Sequence, residues 1–313
     1  MTTETTPEPK PTPEAEGESK HRRVEAMRAR AKVAQERLDA ARSTHTSVDT
    51  AFCLWQEDRR LAASVLAGGI SFRLFFWLLP FALILGGALG FASSEDATEA
   101  ARTFGLTAAA AGSIADAVAE TGRGRWALLL VGTGALLWTS SWSVIALRRV
   151  HSLIWNVAPT KSGTNPLVGA LAFSGVVVSM LAIPAGAARL RDVSEAGGLL
   201  IQLLAVAAFF AVWLWASAQL PHGDAPLRAL IPGAVLVAVA AQFVHLFSVL
   251  YVAVQLDRAS ELYGGLGVAA TALFVLYVVG RVVVASAVLN AELWRRETRK
   301  AAAAAHPGEP PEG

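Results

Sequence analysis

The sequence lacks most of the residues that build metal sites and hydrolytic centres. Its single cysteine, Cys53, excludes a disulfide within the chain. No two of its histidines have the spacing of metal ligands: His21, His45, His151, His222, His245 and His306. Neither G-x-S-x-G nor H-E-x-x-H occurs. We therefore predict no catalytic residue, no cofactor, no bound metal and no enzymatic activity.

Charge is also scarce. Only 17% of the residues are charged and 54% are hydrophobic, a balance too apolar for an ordinary soluble domain. No basic surface domain is present to hold folded RNA, so a nucleic acid is not an expected partner. The chain also has no nucleotide-binding motif, which argues against direct use of ATP.

Long uncharged runs dominate the rest of the chain. A bilayer core about 30 Å thick needs roughly 20 apolar residues, and the run 61–94 exceeds this with one charge, Arg73. It follows some 60 mostly polar residues, unlike a signal peptide. Five more runs follow at 126–147, 166–188, 196–221, 229–256 and 262–291. The sequence thus predicts an all-α membrane protein, a bundle of six transmembrane helices.

Composition divides the chain into four parts. Residues 1–20 are rich in Pro, Thr and Glu, which predicts disorder. Residues 21–60 are expected to form a basic helix and a juxtamembrane amphipathic helix that begins at Thr46. The membrane domain covers 61–294, and 295–313 form a tail. Within the membrane domain, an Ala-rich loop around 95–125 predicts external amphipathic helices.

Lysine and arginine predict the orientation. Six spans place both termini on one side, and that side carries 19 Lys and Arg against 6 on the other. Both termini are therefore expected in the cytoplasm.

Several single residues indicate where helices bend, begin or approach one another closely. Pro80 lacks an N–H and predicts a kink in the first helix. Asn165 and Pro166 predict the N-cap and first residue of the third span. Small residues are expected to let helices approach closely. Those considered are Gly68, Gly69, Gly86, Gly90, Gly265 and Gly267.

Several short motifs occur in a characteristic order within residues 50–296. They are Ala62-Ala63 followed by Leu78-Leu79-Pro80; Ile154-Trp155; Leu220-Pro221 with Pro226-Leu227-Arg228-Ala229 and Pro232-Gly233-Ala234; and Tyr263-Gly264-Gly265-Leu266-Gly267 with Asn290-Ala291-Glu292-Leu293. Together they resemble the YihY/BrkB family. Arg73 stands where that family commonly has an aromatic residue. The resemblance implies a six-helix bacterial inner-membrane protein, and the family's virulence-factor and older ribonuclease labels imply no particular mechanism.

Charged residues inside the runs are the candidate functional residues. From the middle of its run, each of Arg73 and Arg281 is expected about 6–8 Å to the cytoplasmic side of the midplane. Two permanent charges at one depth suggest a shared cavity. Gln242 and His245 form a polar patch, and Glu292 lies on the face of Arg281. Alternatively, each arginine binds helix-end or kink carbonyls, and Gln242 and His245 make interhelical hydrogen bonds.

These residues lead to a functional hypothesis. We expect a transporter, or a translocator of lipids and other anionic amphiphiles, with a cytoplasm-facing cavity lined by arginine. Its expected partners are membrane lipids, including anionic head groups, or organic anions. The sequence specifies no oligomeric state. The alternative is a non-transporting scaffold in envelope assembly, whereas the lack of clustered metal ligands disfavours a ribonuclease.

Overall fold

The computed structural model describes residues 27, 28, 32, 46–89, 124–158, 165–193, 198–247 and 265–305. These residues are helical or lie in turns, with no strand among them. The predicted external helices and most of the N-terminal tail fall outside these ranges.

The chain divides into two compact units after Gln56. The described part of the first unit is mainly the start of helix α1, Thr46–Arg60, which begins where the sequence predicted. Within that unit, the rings of Phe52 and Trp55 lie 5.7 Å apart, and the Sγ of Cys53 lies 4.0 Å from Asp49 Oδ1.

The second unit contains the long apolar helices. They are α2 (Ala63–Leu89), α3 (Arg125–Trp155), α4 (Pro166–Val193), α5 (Gly198–Ala218), α6 (Ile231–Phe247) and α7 (Gly265–Ala305), with a 3-10 helix (Leu227–Leu230) before α6. Among the described residues, six helical segments are long and apolar enough to cross a membrane, which is the number predicted. Pro80 lies inside α2, and the kink predicted there stays a prediction.

The helix ends follow local signals in the sequence. Asn165 accepts a hydrogen bond from the N–H of Leu167 at 3.0 Å, and Pro166 begins α4, which confirms the predicted cap. Between α1 and α2, Ala62 has a left-handed backbone with φ 47°. At the end of α3, Asn156 is also left-handed and serves as the C-cap.

Hydrogen bonds between serines and a tryptophan join α2, α3 and α4. Trp77 is fully buried, and its indole N–H donates to Ser140 Oγ at 2.9 Å. Ser140 in turn lies 2.8 Å from the hydroxyl of Ser174. Interhelical hydrogen bonds of this kind contribute roughly 0.6 kcal/mol each in membrane proteins. Their main effect here is to fix the register of the three helices.

An asparagine performs the same role for α6 and α7. Buried Asn290 accepts a hydrogen bond from the backbone N–H of Gly233 at 2.6 Å through its Oδ1. Its Nδ2 donates to the carbonyl of Leu230 at 3.3 Å. Two motifs that are distant in the sequence, Pro232-Gly233-Ala234 and Asn290-Ala291-Glu292-Leu293, therefore meet at one interhelical contact.

The glycines at tight contacts are not the ones expected from the sequence. A Cβ on Gly68, Gly69 or Gly86 would meet no atom within 4 Å, so that part of the packing prediction is wrong. Close approaches occur instead at Gly87, Gly132, Gly233 and Gly280. The reason is helix phase, since a pair of glycines favours close approach only when it faces a neighbouring helix. Gly90 lies outside the described residues.

Gly280 provides a test of the contact between α2 and α7. A Cβ there would lie 2.6 Å from the Ala67 carbonyl oxygen, which belongs to backbone and cannot rotate away. We expect Gly280→Ala to lower stability by about 1–3 kcal/mol through overpacking. The measurement is thermal unfolding of the detergent-purified protein. The matched control is Gly69→Ala, which has open space around it and should keep or slightly raise the melting temperature. Equal effects of the two changes would contradict the contact.

Candidate functional site

A large cavity lies within the helical bundle. Its volume is about 1120 Å³, and each of the apolar helices α2 to α7 contributes to its wall. Most of the lining side chains are aliphatic or aromatic, including Ile70, Leu74, Phe81, Met180 and Val283. The fold thus forms a partly open chamber whose wall is mainly apolar.

The charged residues of the wall are all cations. Arg73 on α2 and Arg148 on α3 line the cavity, and its described lining includes no Asp or Glu. The guanidinium carbon of Arg73 lies 5.9 Å from the centre of the Trp142 ring, a cation–π distance. An aromatic face attracts the cation but does not neutralise it. The charge of Arg73 in the cavity wall is therefore not neutralised by the ring.

Two other polar groups of the wall, those of Ser143 and Trp77, are bonded within the protein. The hydroxyl of Ser143 donates to the Thr139 carbonyl at 2.8 Å. The indole of Trp77 is bonded to Ser140, as described above. Because their hydrogen bonds are made within the protein, these groups help to hold the helices in register and have fewer free donors for a ligand.

Arg281 lies apart from this cavity, in contrast to the expectation that it would share one with Arg73. Its Nη2 forms an ion pair with Asp58 Oδ1 at 3.0 Å. The cavity-lining residues of α7 occupy one arc of the helix: Val275, Leu276, Val279, Val282 and Val283. At 3.6 residues per turn, Arg281 lies roughly 160° from the centre of that arc. Helix phase thus turns Arg281 toward the last turn of α1.

The two arginines also differ in depth. The backbone at Ala67 lies against Gly280, which sets the register of α2 and α7. Arg73 is six residues beyond Ala67, so it lies roughly 9 Å along the axis from the level of Gly280 and Arg281. The equal depth expected from the sequence assumed that each helix is centred in the bilayer. The helix α7 instead extends from Gly265 to Ala305, well beyond the uncharged run.

Glu292 belongs to a group of ion pairs, which we call the helix-end ionic cluster. Its members are Glu57, Asp58, Arg281, Glu292, Arg295, Arg296 and Arg299. Glu292 is buried and lies 3.1 Å from Arg296 and 3.3 Å from Arg299. Arg295 pairs with Glu57 at 3.0 Å and also donates to the Ile154 carbonyl at the end of α3. The cluster therefore joins the last turn of α1 to α3 and α7.

The predicted polar patch on α6 is an interhelical contact at Gln242. The Nε2 of Gln202 on α5 donates to its Oε1. Gln242 is not part of the described cavity lining. The side chain of His245 lies outside the described residues. Among those that are described, His, Cys, Asp and Glu form no group of three or more able to hold a metal ion.

Sequence reasoning missed Arg148 as a cavity residue. The second apolar run was taken to end at Leu147, with a short loop after it, whereas α3 continues as a helix to Trp155. Residues 150, 151, 152, 154 and 155 are buried in those last turns, while Arg149 is exposed. The sequence signal that could have extended the helix is the helical spacing of Leu147, Val150 and Ile154.

The fold and the cavity define a polytopic α-helical membrane protein with an internal, cationic and largely apolar chamber. The chain matches the family described as virulence factor BrkB over residues 54–309, and it belongs to that family. No curated protein and no solved structure shows a significant match to the chain.

The helix-end ionic cluster leads to a stability prediction. The Glu292 side chain is only 9% exposed, so Glu292→Gln would leave neighbouring arginines in a poorly solvated site with less counter-charge. We expect a loss of about 2 kcal/mol, below the ~3–5 kcal/mol of a fully buried pair because the arginines reach solvent. Thermal unfolding measures it. Glu297→Gln, at an exposed position of the same helix, should have little effect. Unchanged stability of Glu292→Gln would contradict a structural role for the cluster.

Proposed function

We propose that the protein binds an anionic amphiphile in its cavity and moves it between the two sides of the membrane. The observation that carries this proposal is the charge of the wall, where arginines stand in an apolar chamber whose described lining has no carboxylate. The apolar surface would accept the chains of the amphiphile, and the arginines would hold its head group. No chemical step is part of the proposal.

The size of the cavity supports a substrate that carries hydrocarbon chains. Small-molecule pockets have volumes of about 300–1,000 Å³. At about 1120 Å³ the cavity lies above that range. A small inorganic anion would need neither this volume nor so much apolar surface.

The surroundings of the Arg73 side chain favour a negatively charged substrate. Arginine stays protonated in proteins, so it cannot avoid the cost of a low-dielectric site by losing its charge. Asp58 already supplies the counter-charge for Arg281. Arg73 instead faces the ring of Trp142. A bound anion would therefore gain the attraction of Arg73 without first displacing a carboxylate from it.

A transport assay tests the role of Arg73. The protein is reconstituted into liposomes, and movement of fluorescent phosphatidylglycerol is compared with that of zwitterionic phosphatidylcholine. We expect faster movement of the anionic lipid, and a loss of about tenfold or more in Arg73→Gln, because a hydrogen bond to a charged group contributes ~1.5–3 kcal/mol.

The control for this assay is Arg149→Gln. It removes an equal charge from an exposed position next to Arg148, outside the described cavity wall, and should leave the rate unchanged. Equal rates in wild type and Arg73→Gln would refute the proposed site. Absence of any flux in the wild type, together with specific capture of envelope proteins, would favour a scaffold instead.

We also propose that both termini face the cytoplasm. The six candidate spans give an even number of crossings, and the excess of lysine and arginine on the terminal side supports this orientation. A C-terminal green fluorescent protein fusion should fluoresce, and a C-terminal alkaline phosphatase fusion should be inactive. Active phosphatase with a dark fluorescent fusion would reverse the orientation.

A further inference from the structure

The charged and amide side chains of the cavity wall are gathered at one end of the cavity. Together with one serine they form what we call the polar end: Arg73, Ser143, Arg148 and Gln219. Every other residue of the described lining is aliphatic, aromatic, Gly, Pro or Met. The common depth of the polar residues follows from the register of the helices that carry them.

A hydrogen-bonded level joins α2, α3 and α4 and gives the depth of the two arginines. At this level Trp77 is bonded to Ser140, which is bonded to Ser174. Arg73 comes four residues before Trp77, so it lies roughly 6 Å from the level, toward the start of α2. Helix α3 runs in the opposite direction to α2. Arg148, eight residues after Ser140, therefore lies on the same side, roughly 12 Å from the level.

Gln219, which directly follows α5, lies at a similar depth. The start of α5 packs on the end of α4, where Ile201 contacts Ala187. From this contact, Gln219 is eighteen residues along the chain and Ser174 is thirteen residues back along α4. The difference places Gln219 roughly 7–8 Å beyond the level of Ser174, toward the start of α4. Arg73 and Gln219 are therefore at nearly the same depth.

The side chains of Arg73 and Gln219 are both accessible to a ligand. Gln219 is exposed, and its amide has no hydrogen-bond partner among the described residues. The guanidinium nitrogens of Arg73 also have none there, and none of these nitrogens is fully buried. Arg148 lines the same end but already interacts with other groups of the protein. The polar end thus offers the charged donors of Arg73 and the neutral amide donors of Gln219.

The apolar part of the wall has a depth that suits acyl chains. On the far side of the level of Trp77, the lining continues to Gly86 on α2 and to Pro184 on α4. These two residues lie roughly 14 and 15 Å beyond that level. A bilayer core is about 30 Å thick, so the hydrocarbon of one leaflet is about 15 Å deep. The apolar part therefore matches the hydrocarbon of a single leaflet.

We propose that the amphiphile lies lengthwise in the cavity, with its oxyanion head group bonded to Arg73 and Gln219 at the polar end and its chains in the apolar part. This inference rests on the proposed function and deepens it by naming a second head-group residue and the orientation of the substrate. The polar end lies on the side where α2 begins, which is the side of the termini. The head group then has the orientation of a lipid in the leaflet on that side, from which the cavity is loaded.

Photo-crosslinking measures this orientation. The purified full-length protein is reconstituted with a phosphatidylglycerol that carries a photoreactive diazirine either on its head group or at the end of an acyl chain. Mass spectrometry then identifies the labelled residues. We expect the head-group probe to label the polar end, as at Ser143 and Gln219, and the chain-end probe to label the apolar part, as at Leu85 and Met180.

A variant separates labelling inside the cavity from labelling by bulk lipid. In Arg73→Gln, labelling of the cavity wall should fall severalfold, whereas Trp138, at an exposed position outside the described wall, should be labelled as before. If the two probes label the opposite ends to those expected, or if each labels both ends equally, the proposed orientation is wrong.

Binding measurements test the role of Gln219. Dihexanoyl phosphatidylglycerol is titrated, and the ligand-dependent rise in melting temperature gives an apparent dissociation constant. Gln219→Leu removes the amide donors and should raise this constant severalfold. Gln219→Glu also adds a negative charge beside the head group and should raise it about tenfold or more. The matched control is Gln56→Glu, at an exposed position outside the described wall, which should bind like the wild type.

The ligand-free proteins show whether these changes act on binding or on structure. Because Gln219 is exposed, both variants should keep a melting temperature near that of the wild type. Weaker binding by Gln219→Glu with unchanged binding by Gln219→Leu would show an effect of the added charge alone and would overturn the ligand role of Gln219.

The outcomes also separate this inference from the function on which it rests. If lipid movement depends on Arg73 while both Gln219 variants bind like the wild type, the inference fails and the proposed function stands. If neither probe labels the cavity wall and no lipid is moved, both fail.

Discussion

An arginine inside a membrane keeps its proton, so each one in this bundle needs a partner for its charge. The structure meets this requirement in two ways. Arg281 and Arg295 face carboxylates, and both belong to the helix-end ionic cluster. Arg73 faces the ring of Trp142, which attracts the cation and leaves its charge uncompensated. This difference separates Arg281, which holds α1 and α7 together, from Arg73, which we propose is available to an anion.

The position of each arginine depends on helix register, and small and polar residues set that register. Lipid tails are as apolar as leucine, so apolar side chains alone do not specify how membrane helices align. Here alignment comes from Trp77 with Ser140, from Asn290 with Gly233, and from the approach of Gly280 to Ala67. A slip of one residue along α7 would rotate Arg281 by about 100° and separate it from Asp58.

The fold could be predicted from the sequence because its main signal is local. A run of uncharged residues identifies a membrane helix by itself, and the six runs correspond to α2 to α7. The cap at Asn165 is equally local and was also predicted. The end of α3 was not, because the uncharged run ends at Leu147 whereas the helix continues to Trp155.

The site could be predicted only in part. Arg73 lines the cavity, but Arg281 meets Asp58, more than two hundred positions earlier in the chain, and hydropathy contains no information about such a pairing. Helix phase relative to a neighbour is likewise absent from a run of apolar residues. This explains why the tight glycines differed from expectation.

The helices around the chamber differ in the kind of contact that holds them in place. Ion pairs connect α7 to α1, and hydrogen bonds connect α2 to α3 and α3 to α7. In contrast, α5 is held by apolar contacts such as Ile201 with Ala187 and by the bond from Gln202 to Gln242. A displacement of α5 would carry Gln219 away from Arg73 without breaking any ion pair of the helix-end cluster. Among the described contacts, a movement of α5 would therefore break fewer polar bonds than a movement of α3 or α7.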